Sequence, residues 1–381
     1  MIMHKLKLSI LVALAFLLAG KSDSQTVSTL VPGPSTFDDC LTLDREGNIY
    51  ASRYVGSTIT KITPSGNTNI FASGFFQPNG TAFDAQGNLY VPSNISAGWI
   101  AKVSPLGVVD TIVAGISYPT AVLFENDTTM LVSSYQSNRI YKAYLNGSFS
   151  ILYSGNGMNG PVGMDYDDNG QLLIANYTDG KIFRVNSAGS FSLITDIPGI
   201  VGFIAVGNHH IYATGFSANK IYRISMNGET TVLAGSGGAG QINGPALSAT
   251  FNAPNGIALT STGDTIYVSD FNSRSLRMIT NVSVGIQQTE TSVPQSLLLN
   301  QNFPNPFNPS TNLEFSVPSR GMVTLNIFDS MGREVRSIVN SNLSAGSYRI
   351  SFNATEMGSG TYFAVLTHGG TRQTRKITLI K

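Results

Sequence analysis

Gly47-Asn48-Ile49-Tyr50 returns as Gly87-Asn88-Leu89-Tyr90, and that return decides the fold. Weaker copies follow at Thr129-Met130-Leu131, Gln171-Leu172-Leu173, His210-Ile211-Tyr212 and Thr265-Ile266-Tyr267. A second marker, apolar-x-basic-apolar, runs alongside as Ile59-Thr60-Lys61-Ile62, Ile100-Ala101-Lys102-Val103, Ile140-Tyr141-Lys142-Ala143, Ile182-Phe183-Arg184-Val185 and Ile221-Tyr222-Arg223-Ile224. The sixth copy, Leu276-Arg277-Met278-Ile279, lacks the basic residue at that place. Both series step by 39 to 42 residues, with one step of 55 into the last copy. Two independent markers that keep one spacing indicate a repeat architecture. A third marker precedes each copy: Pro78-Asn79-Gly80, Pro119-Thr120-Ala121, Pro161-Val162-Gly163 and Pro254-Asn255-Gly256. Asp38-Asp39-Cys40 and Ile200-Val201-Gly202 fill the two remaining places.

Within each copy, apolar and polar residues alternate between Gly-rich breaks, which predicts four short strands, a to d. Four antiparallel strands per repeat make one blade of a β-propeller, and six copies predict six blades. No d strand is evident after Ile279, whereas residues 26–31 carry the d-strand pattern. That segment is expected to pair onto blade 6, closing the ring and covering a strand edge.

Composition agrees with this reading. Of 381 residues 12% are charged and 39 are Gly, against roughly a quarter charged and about 7% Gly in ordinary domains. The length suggests about two domains. A net charge of +1 argues against a nucleic-acid binder, which concentrates basic residues on one face. Cys40 is the single cysteine, so an internal disulfide and a cysteine zinc cluster are excluded. Residues 1–24 place His4, Lys5 and Lys7 before an apolar run and read as a secretory signal peptide. The run is too short to span a bilayer, which takes about 20 residues, and no transmembrane segment is expected in the mature chain.

The texture changes after Leu299. Asn302-Phe303-Pro304-Asn305-Pro306-Phe307-Asn308-Pro309 is too rich in Pro for a helix. Strand-like segments follow at 313–317, 323–328, 334–339, 348–352, 362–366 and 375–380, which predicts a small Ig-like β-sandwich. The fold class is therefore all-β, a six-bladed propeller followed by a sandwich. The expected boundaries are a signal peptide at 1–24, the propeller at 25–286, a linker at 287–300 and a C-terminal domain at 301–381.

Val268-Ser269-Asp270-Phe271-Asn272-Ser273-Arg274 and the preceding Phe251-Asn252-Ala253-Pro254-Asn255-Gly256-Ile257 resemble NHL repeats. More broadly, 26–286 is similar to the gluconolactonase-like (senescence marker protein) propellers. The tail resembles the sorting domain of type IX secretion cargo. That likeness rests on 302–311, Ile327-Phe328-Asp329-Ser330-Met331-Gly332-Arg333-Glu334-Val335, Gly360-Thr361-Tyr362-Phe363 and Lys376-Ile377-Thr378-Leu379-Ile380-Lys381. It implies type IX secretion machinery as a partner of 301–381, and an extracellular or outer-membrane surface location after signal peptide cleavage.

A propeller works at its channel mouth, where strand a begins and strand b ends. The residues expected to enter strand a are Asp39, Asn79, Thr120, Val162, Val201 and Asn255. Those leaving strand b are Arg53, Ser93, Ser134, Asn176, Gly215 and Asp270. Asp39, Asn79, Asn255, Asp270, Arg53 and Asn176 are thus candidate ligand contacts, with Asp270 and Arg53 placed to pair. Tyr54, Tyr135, Tyr177 and Phe216 follow strand b, where aromatics can form a platform for a glycan, peptide or protein ligand. The gluconolactonase resemblance implies one divalent cation, such as calcium, on oxygen ligands; its candidates here are Asp39, Asn79, Asn255 and Asp270. Val162 and Val201, standing where that family has ligands, cannot serve. A secreted binding or scaffold module is the leading expectation, and a metal-dependent lactonase or related hydrolase the alternative. Gly235-Ser236-Gly237-Gly238-Ala239-Gly240 fits a phosphate-loop pattern formally, but no helix follows to present its amides. His209 and His210 read as structural, and Cys40 as a small packed residue.

Overall fold

The computed structural model describes residues 25–261, 263–280, 282, 287–290, 294–354 and 357–381. The signal-peptide reading of 1–24 lies outside the described residues. All elements among them are strands.

Blades 1 to 5 are antiparallel sheets in a-b-c-d order. Blade 1 comprises Leu41–Leu43, Ile49–Ser52, Thr58–Ile62 and Thr68–Ser73; blade 2, Ala82–Phe83, Leu89–Ser93, Gly98–Val103 and Val109–Ile116. Blade 3 comprises Pro119–Asn126, Thr129–Ser134, Arg139–Tyr144 and Phe149–Ser154; blade 4, Pro161–Tyr166, Leu172–Asn176, Lys181–Val185 and Phe191–Asp196. Blade 5 is Val201–Gly207, His210–Gly215, Lys220–Ser225 and Thr230–Ala234. Blade 6 takes strands a to c from Pro254–Leu259, Ile266–Asp270 and Ser275–Thr280 and its fourth strand from Thr26–Val31, with the short Gly244–Pro245 paired outside that. Val27 lies opposite Ile279, so the start of the propeller closes its end as expected.

The repeat markers have local causes. In Asp44-Arg45-Glu46-Gly47-Asn48 the Asp44 carboxylate accepts the Glu46 and Asn48 amides at 3.0 and 2.8 Å, folding the a–b turn. Asp84 repeats this with Gln86 and Asn88, and Asp167 with Asn169 and Gln171. Gly47, Gly87 and Gly170 take positive φ there, which favours residues without Cβ. The basic residue of strand c reaches back to such a carboxylate: Lys61 to Asp44 at 3.6 Å and Arg184 to Asp167 at 2.7 Å. The b strands are buried along their length, and their tyrosines fill the spaces between blades. Tyr50 meets Phe71 and Phe83 edge-on at 4.9 Å, and Tyr90 meets Phe124 at 4.8 Å.

Arg277 anchors the longer connection that makes the 55-residue step. One position off the usual basic site, it faces the interior, because neighbouring strand residues face opposite ways, and its side chain is wholly buried. It donates to the carbonyls of Thr250 (2.7 Å) and Ile242 (3.2 Å) and to Asn243 Oδ1 (2.8 Å). It also pairs with buried Asp270 at 3.3 Å and lies over the Phe251 ring at 5.2 Å. The long blade 5–6 connection is thereby fastened to blade 6. Its glycine-rich stretch forms turns: Gly235 and Ser236 donate their amides to Ala246 and Ala249.

The tail forms two four-stranded sheets. One sheet orders Gln287–Glu290, Gly346–Asn353, Ser310–Val317 and Leu298–Leu299; the other Glu334–Leu343, Gly321–Phe328, Gly360–His368 and Thr371–Leu379. A separate core holds Leu299, Phe307, Leu313, Phe315, Val323, Leu325, Ile350 and Ile377. Segment 287–300, expected as a linker, instead supplies two strands to this sandwich, and Leu297 and Leu299 enter its core. The two strands are too short to stand out from a polar connection in the sequence.

Candidate functional site

The first strand of most blades carries a bulge at the channel mouth, and the bulge aims the site residues. Register shifts fall between Pro119 and Ala121, Pro161 and Gly163, Val201 and Ile204, and Pro254 and Ile257. Thr120, Val162, Phe203 and Asn255 lie within these shifts, free of strand pairing, and all line one cavity. A bulge commonly re-aims a side chain in this way. Hydroxyls on strand b link one bulge to the next blade: Ser133 donates to the Val162 carbonyl at 3.1 Å and Thr214 to that of Asn255 at 2.6 Å. Ser269 donates to the Asp39 carbonyl.

The cavity is about 260 Å³, lined by residues from all six blades. Its floor holds Asp39, Asn79, Thr120 and Asn255 beside Val162 and Phe203. Its rim is a residue just after strand b in each blade, one place on in blades 2 to 6 and two in blade 1: Tyr54, Asn94, Tyr135, Tyr177, Phe216 and Phe271. Five of these six are aromatic and touch in sequence around the ring. Centroids lie 5.7 Å apart for Tyr135–Tyr177, 5.8 Å for Tyr177–Phe216, 5.7 Å for Phe216–Phe271 and 6.5 Å for Phe271–Tyr54. Blade 2 breaks the collar with Asn94. Backbone contacts hold the rim: the Tyr54 amide donates to Asp38 at 2.7 Å and the Tyr135 amide to Thr120 Oγ1 at 3.1 Å.

Asp39 is the carboxylate among the cavity-lining residues, 2% exposed. Its Oδ1 accepts Asn255 Nδ2 at 2.5 Å. Burial, reinforced by neighbouring Asp38, pushes its carboxyl well above the usual carboxylate range. Burial, with the Asp39 charge next, pushes the Tyr177 phenol up to about 12. Asn79 Oδ1 and Asn255 Oδ1 are buried without hydrogen-bond partners.

Residues 301–381 match the family described as the secretion system C-terminal sorting domain. The tail is a type IX sorting domain. Comparison with curated protein sequences finds no significant match. Among solved structures, the chain is similar to an auxiliary nutrient-binding protein from Bacteroides ovatus, at 14% identity and TM-score 0.58 over 67% of this chain and 76% of that one. It is also similar to a gluconolactonase from Xanthomonas campestris, at 12% identity and TM-score 0.53 over 67% and 89%. A virginiamycin B lyase from Staphylococcus aureus gives 15% identity and TM-score 0.50 over 67% and 99%. These likenesses establish the propeller fold preceding the sorting domain. No helix among the described residues is long and apolar enough to cross a membrane.

The mouth brings together Asp39, Asn79, Asn255, Tyr135 and Tyr177 from the sequence-derived set, with Tyr54 and Phe216. It leaves out three. Asp270 turns away into its ion pair with Arg277 instead of meeting Arg53. Arg53 acts on Asp38, helping to hold down a carboxyl that burial raises. Asn176 donates to the Gly157 carbonyl and to Asp179, both at 2.9 Å. These last strand-b residues point away because alternation sends the next residue, not the last, into the channel. Blade 5 is also one position out of step. Val201 pairs opposite Gly215 as Pro161 does opposite Asn176, so Phe203 lines the mouth and Val201 is core. Gly202 leaves no other choice there: a Cβ would stand 2.5 Å from Asn255 Oδ1 and 2.6 Å from Thr214 Oγ1. Phe203, Asn94 and Phe271 were missed, although Asn94 and Phe271 occupy the same post-strand-b place as the tyrosines.

The donor set suits a divalent cation poorly. One carboxylate lines the mouth, Asp270 is engaged elsewhere, and Asn255 turns its amide nitrogen toward Asp39. Hard cations take several oxygen ligands, and among the described residues no three His, Cys, Asp or Glu side chains cluster to hold a metal. The other reactive residues are engaged or packed. Burial, then the Asp39 charge, pushes the Cys40 thiol up to about 12, His209 meets Asp168 at 2.5 Å, and His210 meets the Asn208 carbonyl at 2.7 Å.

Proposed function

We propose that this chain is a surface-delivered binding protein, exported through its type IX sorting domain, that takes a small ligand or a protruding side chain into the collared mouth of the propeller. One observation carries the reading: five aromatic rings from five blades surround a buried polar floor in a cavity of about 260 Å³. Aromatic walls with a few placed polar groups are the usual build of a ligand site. Catalysis would need an activated nucleophile or base beside the ligand. Asp39 is held by Asn255, and no His lines the cavity. Similar folds include proteins described as nutrient-binding and as gluconolactonase, so the mouth and not the fold supports the choice.

The test is a panel of glycans and peptides offered to purified protein and to Tyr135→Ala and Tyr177→Ala. Binding that both substitutions weaken is expected. Absence of collar-dependent binding overturns the proposal. Lactone hydrolysis that Asp39→Ala abolishes overturns it in favour of the hydrolase.

A further inference from the structure

We infer that the collared mouth selects an organic ammonium ion carried on a slim chain, such as a lysine-like side chain or a small alkylamine. This rests on the binding reading above and names the chemistry of its ligand. The argument is a census of donors, acceptors and charge. Several donors around the cavity are spent internally: on the rim Asn94 Nδ2 serves the Pro119 carbonyl and Thr120 Oγ1, and on the floor Thr120 serves the Tyr118 carbonyl and Asn255 serves Asp39. Two floor acceptors are open. The second Asp39 oxygen makes no hydrogen bond among the described residues, and Asn79 Oδ1 is buried without a partner. Both residues line the cavity and are more than nine-tenths buried. A ligand that brings N–H groups answers both open acceptors.

Charge narrows the class. No Lys, Arg or His lines the mouth, and Asp39 has no ion-pair partner among the described residues. A buried carboxylate without a cation is costly, and a bound cation removes that cost. The charge that acts on it is Asp38, which adds negative charge and is itself countered by Arg53 and Arg274. The rim fits the same occupant, because aromatic rings attract cations through their π-faces and several together make a cage for ammonium groups. A sugar would also stack on the rings, but it brings as many acceptors as donors and no charge for Asp39.

The experiment titrates full-length mature protein by NMR with butylammonium, butan-1-ol, butyrate and glucose. Butylammonium is expected to bind about tenfold or more tightly than butan-1-ol, and butyrate not at all. Asp39→Asn should abolish that preference, and Asn79→Ala should weaken butylammonium alone, with folding confirmed for each variant by a Trp99 fluorescence melt. Equal affinity for butylammonium and butan-1-ol, or a preference that survives Asp39→Asn, overturns the inference. Glucose binding that needs Tyr177 without butylammonium binding overturns it too and leaves the binding reading standing. That reading falls on its own tests: a glycan and peptide panel without dependence on Tyr135 or Tyr177, or lactone hydrolysis that Asp39→Ala abolishes.

Discussion

Replacing Arg277 with Met keeps an apolar stem of similar reach and removes one wholly buried cation. Asp270, also wholly buried, then loses its ion-pair partner, 3.3 Å away, and the Thr250, Ile242 and Asn243 oxygens lose their donor. Removing one member of a buried pair typically costs about 3–5 kcal/mol, because the other charge stays desolvated. The cost should depend on pH. Burial raises the Asp270 carboxyl to about 6 even beside Arg277, which pulls it down, so without the arginine it rises further. A carboxyl raised above its unfolded value contributes stability that is full below the unfolded pKa, near 3.9, and is lost as pH rises through the folded value. The gap between wild type and Arg277→Met should therefore hold only the lost hydrogen bonds at pH 5 and grow by about 2–3 kcal/mol by pH 8, toward the roughly 3–5 kcal/mol of a broken buried pair. Urea unfolding followed by the fluorescence of Trp99, the single tryptophan and a blade 2 residue, reads this within the propeller. Arg277→Met/Asp270→Asn should recover part of the loss at pH 8, since an amide needs no counter-charge. A gap below about 1 kcal/mol at pH 8, or one that pH does not change, refutes the account.

Deleting residues 25–31 should destabilise the propeller by about 3–6 kcal/mol, from the burial of Val27 and Val31 alone, and promote self-association through the bared edge of Ser275–Thr280; unfolding and light scattering check both. Asp39→Asn should stabilise the free protein relative to wild type increasingly from pH 4 to pH 8, because the raised Asp39 carboxyl, facing Asp38 and no cation, is costlier the more it ionises; thermal melts across that range decide it. Removing residues 301–381 should hold the propeller inside the outer membrane, and cell fractionation with surface labelling reads the outcome. Phe203→Ala should widen the mouth and cost about 3–5 kcal/mol, whereas Val201→Ala should destabilise without altering ligand binding; unfolding and titration separate the two.

The six-fold fold was legible because its signals are local. An Asp-x-x-Gly-Asn turn, an all-buried b strand and a basic c residue each arise from short-range hydrogen bonds and strand alternation, so spacing in the chain carries them. Closure by Thr26–Val31 was legible too, since a missing d strand and a spare one are both countable. The polar floor was found for the same reason: Pro-Asn-Gly marks a bulge wherever it stands. What the sequence could not carry were matters of register and partnership. A bulge at Val201–Ile204 slips the pairing and hands the cavity to Phe203. Burial decides that Asp270 answers Arg277 and not Arg53. The short strands at 287–290 and 298–299 exist because a sheet in the tail accepts them.

By itself, then, the sequence determined six blades, their order and their closure, all set by hydrogen bonds and alternation over a few residues, and it carried the sorting-domain motifs of the tail. Tertiary structure alone decided that five rings from five blades stand in contact above one buried carboxylate. Neighbouring rings of the collar are 39 or more positions apart in the chain, and only ring closure sets the distances between them and the dielectric around Asp39.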